Sequence, residues 1–166
     1  MALALFLTSG AVAAPFETDG FRQGMSLSEV EREARLRGYE LHKFPSDGSG
    51  TGYSSYNVLH RGHYRGLLTL QCGRLGIAGW MVDGDVNNFI KQLIQLEKEG
   101  YQRTDVQWRS DFWQGQERYK LSVYLVKAGN EKDYYVEVTL FSNDKHGVSN
   151  SQLSYLPKQD YCTRGE

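Results

Sequence analysis

The hydrophobic period of this 166-residue chain runs helical, strand-like, helical and strand-like again, and that order limits what it can fold into. The first helical stretch opens with a capping box: Ser26 is a good N-cap and Glu29 stands three residues on. Met25 and Val30 occupy the two hydrophobic-staple positions. Leu27, Val30 and Ala34 recur at helical spacing, with Glu31, Arg32, Glu33 and Arg35 on the wet side. Gly38 suits a left-handed C-cap. Strand-like segments follow over 39–44, 53–60, 67–72 and 75–82, separated by a Gly-rich cluster at 46–52 and by turns at Arg61-Gly62-His63 and Gly73-Arg74. The second helical stretch has the strongest pattern in the chain: Val86, Phe89, Ile90, Leu93, Ile94 and Leu96, with Asp83 or Asp85 as cap and Gly100 as stop. Strands are then predicted over 101–109, 117–127 and 134–141, with a loop at 110–115.

Arg37-Gly38-Tyr39 and Glu99-Gly100-Tyr101 each join a helix end to a strand, 62 residues apart. Together with the repeated order of helix then hairpins, this predicts an α+β protein. Two similar helix-plus-antiparallel-sheet units, residues 14–82 and 83–142, would pack as one domain. Residues 143–166, rich in Ser, Asn and Gln, are expected to form a polar C-terminal arm.

Residues 1–13 read as a secretory signal: a short apolar run, then small residues, with Ala11-Val12-Ala13 as the cleavage element. No Lys or Arg precedes the run. No segment is apolar over the roughly 20 residues a membrane-spanning helix needs. A periplasmic or secreted protein is therefore expected. In such a compartment Cys72 and Cys162, the two cysteines of the chain, are most simply a disulfide. No C-x-x-C supports a redox or metal-binding thiol. The net charge of −1, with acids and bases mixed throughout, argues against nucleic acid as partner. Eleven Tyr and three Pro suit a β-rich folded domain.

Gly24-Met25-Ser26-x-x-Glu29-Val30, ahead of antiparallel strands, resembles the opening helix of small envelope proteins of the SmpA/OmlA type, including the BamE lipoproteins, and of the tandem-repeat β-lactamase inhibitor proteins. The resemblance covers about ten residues and implies a related fold and a non-enzymatic role. The chain departs from these proteins in having no lipidated cysteine, no Gly-x-Pro after the first helix, and one cysteine pair spanning the halves. No functional residue is carried over.

Catalytic and metal signals are sparse. His60 and His63 flank Arg61-Gly62, where a turn need not make the rings converge, and no acid or cysteine nearby completes a ligand set. Asp83 and Asp85 are explained by capping. Gly48, Gly50 and Gly52 lack the Lys and helix start of a phosphate loop. No G-x-S-x-G occurs. No cofactor or metal is expected. The cluster that invites a function is Trp108, Arg109, Phe112 and Trp113, around an expected hairpin tip, since aromatic and Arg side chains carry much of the energy of protein interfaces. The simpler reading has these rings covering a sheet edge or the open end of the core. Trp80 is expected in the core. The leading expectation is an exported, non-enzymatic binding protein, with an enzyme to be inhibited among the partners considered. The alternatives are an envelope-polymer hydrolase and an envelope assembly or structural factor.

Overall fold

The computed structural model describes residues 16–45, 52–82, 86–113, 116–127, 134–143, 147–158 and 161–162. The expected signal, the 46–51 part of the Gly-rich cluster and the candidate caps Asp83 and Asp85 lie outside these. The elements in chain order are β1 (Glu17–Thr18), β2 (Phe21–Arg22), α1 (Leu27–Leu36), β3 (Tyr39–Lys43), β4 (Tyr53–His60), β5 (His63–Gln71), β6 (Arg74–Val82), α2 (Val86–Lys98), β7 (Tyr101–Trp113), β8 (Gln116–Lys127), β9 (Tyr134–Asn143) and β10 (Gly147–Pro157).

The expected pair of helix-plus-sheet units is not what forms. Strands β3 to β10 make one eight-stranded antiparallel sheet in the order β3-β4-β5-β6-β10-β9-β8-β7, and β1-β2 is a separate hairpin. Among the described residues the chain is mostly β, with two helices and one disulfide. The cause is β10. Its segment, expected as a polar arm, pairs with β6 on one side and β9 on the other. Leu153 lies opposite both Trp80 and Val138, and Tyr155 opposite both Ala78 and Val136, so this strand carries the core across the middle of the sheet. Its serines are accommodated in place: Ser151 is buried and its hydroxyl donates to the Val82 carbonyl at 3.4 Å.

Both helices lie on one face of the sheet and share one apolar core. Val30 and Ala34 of α1, and Phe89, Leu93 and Leu96 of α2, are buried with Val58, Leu68, Ala78, Val123, Leu125, Val136 and Val138 of the strands. The capping box of α1 forms as read: the Ser26 amide donates to Glu29 at 2.8 Å and the Glu29 amide donates to the Ser26 hydroxyl at 3.4 Å. The Ser26 amide, and the Ser26 hydroxyl that also donates to the carboxylate at 2.8 Å, hold the Glu29 pKa below its ordinary value. The β1-β2 hairpin turns on Asp19-Gly20, both at positive φ, as the tight two-residue connection requires. Arg61-Gly62 and Cys72-Gly73 turn the same way. The hairpin drives Phe16 and Phe21 fully into the core. Phe16 packs on Tyr134 and Tyr155, and Phe21 on Tyr39 and Trp80. These contacts lie over β6 and β10, where the two halves of the sheet meet.

Cys72 and Cys162 are bonded, with Cα atoms 5.2 Å apart and a sequence separation of 90. The bond ties the chain beyond β10 to the β5-β6 turn and fits an oxidising compartment. Among the described residues no helix is long and apolar enough to cross a membrane.

Candidate functional site

The sheet has two edges, β3 and β7, and they differ in kind. Edge strands expose unpaired backbone groups, which proteins usually guard with shortness or charge. The β3 edge is guarded. It has five residues, YELHK, and α1 packs against it. The β7 edge is thirteen residues long, with one irregularity between Arg103 and Asp105.

Strand alternation decides how the expected interface residues are arranged on β7. The strand continues through the segment expected as a loop, so that Phe112 lies opposite Glu117 and Trp113 opposite Gln116. The Phe112 and Trp113 side chains lie outside the described part of the structure. Directly paired residues share a face. Val106 pairs with the buried Val123 and Trp108 with Leu121, which puts both on the helix-bearing face. Asp105, Gln107 and Arg109 pair with Tyr124, Ser122 and Lys120, on the helix-free face. Trp108 and Arg109 therefore point to opposite sides of the sheet.

Trp108 is 64% exposed and Val106 58%. The Trp108 indole stacks on Tyr119, with ring centroids 5.8 Å apart and planes 17° from parallel, so the ring is held while its outer face stays wet. The helix adds to this patch. Val86, Ile90 and Ile94, one helical stripe at i, i+4 and i+8, are exposed beside the buried stripe of Phe89, Leu93 and Leu96. Glu97 lies three residues past Ile94 and reaches Arg103 of β7 at 2.6 Å, which turns the exposed stripe toward β7. Among the described residues, five of the nine large apolar side chains that are exposed belong to this one α2-β7 flank. The helical pattern read from the sequence took Val86, Ile90 and Ile94 together with Phe89, Leu93 and Leu96 as one set. The signal against it was breadth: six apolar positions on a helix of thirteen residues cover more than one face can bury.

The helix-free face beside β7 is polar and internally matched. Glu137 of β9 is 8% exposed and has the Lys120 ammonium 2.9 Å from Oε1. Burial raises its pKa, but Lys120, Ser122 and Tyr124 outweigh that and hold it below the ordinary carboxylate range. Ser122 and Thr139 hydrogen-bond at 3.2 Å, and Tyr124 packs edge-on against Tyr135. At the rim the Asp105 carboxylate accepts from the Gln107 side chain at 2.7 Å, and Arg109 donates to the Gln107 carbonyl oxygen.

His60 and His63 face each other across the Arg61-Gly62 turn, and the His60 ring meets the Tyr39 ring edge-on. Among the described residues no group of three or more His, Cys, Asp or Glu is placed to hold a metal ion. His42 and Glu40 are 3.5 Å apart on β3, with both side chains more than half exposed. Trp80 is partly buried against the core, between Phe21 and Tyr39. Comparisons with family models, with curated proteins and with solved structures find no match, and so bear neither for nor against the resemblance to small envelope proteins.

Proposed function

We propose that the chain is an exported, non-catalytic binding protein of the cell envelope or exterior, and that β7 is its binding element. A protein partner would lay an extended segment along the β7 edge. Backbone pairing supplies affinity in this mode, and alternate side chains supply selectivity. The observation that carries the reading is the length of the thirteen-residue β7 edge beside the exposed Val106, Trp108, Val86, Ile90 and Ile94. Exposed apolar side chains gathered on one flank mark interaction sites. The opposite facing of Trp108 and Arg109 supports the same mode: one partner meets both most directly by pairing with the strand edge between them. Phe112 and Trp113 lie further along the same strand. Export is supported by the small-residue cleavage pattern and by the disulfide.

The test is capture of partners from envelope extract by the folded protein and by its Trp108→Ala variant. Trp108 is mostly exposed, so the variant should keep its melting temperature and lose the captured partner. Undiminished capture would remove β7 as the binding element.

A further inference from the structure

We propose that the segment seated on β7 is the β7 strand of a second copy of this chain, related by a twofold axis through Gln107. The inference rests on the reading of β7 as a binding edge and names its occupant. The residues 105 to 109 are Asp, Val, Gln, Trp and Arg, an order that complements itself when run antiparallel. With Gln107 opposite Gln107 of the partner copy, Asp105 stands opposite Arg109 and Val106 opposite Trp108, each twice. Direct cross-strand partners share a face. The two acid-base pairs fall on the helix-free face and the two apolar pairs on the helix-bearing face, which are the faces these residues already occupy.

The surroundings fit. Helix α2 contacts β9 and β10 as well as β7, and among the described residues no strand pairs with the outer side of β7. The exposed stripe of Val86, Ile90 and Ile94 would line the wall above the paired Val106 and Trp108 side chains. On the other face Gln107 bonds both Asp105 and Arg109, and Asp105 also accepts from the Val106 amide at 2.8 Å; pairing with the second copy exchanges these contacts for ones across the axis. The product is a continuous antiparallel sheet across two copies, closed by twofold symmetry.

The test is sedimentation-equilibrium or light-scattering mass of the purified chain and three variants: Asp105→Arg, Arg109→Asp and both together. The unaltered chain should have twice the mass of one chain at micromolar concentration. Each single exchange opposes like charges twice across the axis and should raise the dissociation constant about tenfold or more. The double exchange restores opposite charges and should return it to near the original value. Monomer at about 100 µM, near −5.5 kcal/mol or weaker, overturns the proposal. So does a double exchange no better than the singles, because the contact then is not centred on Gln107. Two measurements separate this failure from failure of β7 as a binding edge. A monomer whose partner capture is lost on Trp108→Ala keeps the edge for a different protein. A monomer whose capture survives that change has neither.

Discussion

Replacing Phe21 by Ala tests whether the β1-β2 hairpin belongs to the core. Phe21 is fully buried, with its ring centroid 5.7 Å from that of Trp80 and 6.3 Å from that of Tyr39. Full burial of a Phe side chain is worth roughly 1.5–3 kcal/mol. Ring contacts of this kind add about 0.5–1.5 kcal/mol beyond area. The rings packed on it come from two other strands, β3 and β6, so the site collapses poorly and a cavity term adds to the loss. The expected cost is about 3–5 kcal/mol. Urea titration followed by tryptophan fluorescence reads it, with Arg22→Ala, the exposed neighbour on β2, as the control expected within about 0.5 kcal/mol. A loss below about 1 kcal/mol for Phe21→Ala would mean that the hairpin frays freely, and that the middle of the sheet is sealed without it.

Other expectations are simpler to state. Ser26→Ala should cost about 0.5–2 kcal/mol in the same titration, because the hydroxyl and Glu29 complete a capping box. Cys72→Ser, or reduction of the bond, should cost about 4–5 kcal/mol in the chain-entropy model, read as a lower urea midpoint. Gly66→Ala should lose about 1–3 kcal/mol, since a Cβ there would meet the Gly79 carbonyl oxygen at 2.2 Å and no flexible side chain can yield. Alkaline titration should also unfold the protein. Burial raises the pKa of Tyr39, Tyr64, Tyr101, Tyr124, Tyr135 and Tyr155, and the Tyr134 hydroxyl raises Tyr101 further. The stability they contribute is fully present below the ordinary value of about 10 and is lost as pH rises above it. Tyrosinate absorbance that developed fully before any loss of structure would contradict this.

Where local chemistry decides structure, the sequence was readable. The Ser26-Glu29 box, the glycine at 38 with φ of 70° and the alternation of Leu121, Val123 and Leu125 each fix an element within a few residues of itself. The β1-β2 hairpin was announced by Asp19-Gly20 but went unread, because strands of two residues show no period. Strand β10 was misread for a different reason. Serines and Gln152 suggested a solvated arm, while the pairing that buries Ser151 and Ser154 involves β6, with Ser151 opposite Val82 sixty-nine residues earlier. No turn links these strands, so no local signal sets the order β6-β10, and that one pairing converts two expected units into one sheet. The residues at 108 and 109 were picked out by type, and the strand expected over 101–109 already sends them to opposite faces; what went unread is that the strand continues to Trp113 through the segment expected as a loop, because its pairing with β8 is not a local signal.

Edge geometry also limits how far self-pairing can go. Were β7 to pair with β3 of a neighbour, each added copy would leave another free edge, and the assembly would grow without end. The β3 edge opposes this with five residues that include Glu40, His42 and Lys43, and with α1 beside it. A β7-β7 contact consumes both long edges at once and leaves two guarded ones, so it stops at two copies. A single charge in the middle of β7 should therefore separate association from folding. Val106 is 58% exposed, and Val106→Lys removes little buried area, so its melting temperature should stay within a few degrees of the parent. On the axis-centred pairing the new ammonium lies against Trp108 of the other copy, where it is desolvated without a carboxylate partner. The variant should run as a monomer that stays in solution on concentration, because a lysine on an edge strand also blocks promiscuous pairing. A Val106→Lys protein that remains dimeric would place the contact elsewhere on the molecule, and one that unfolds would show Val106 to be part of the core.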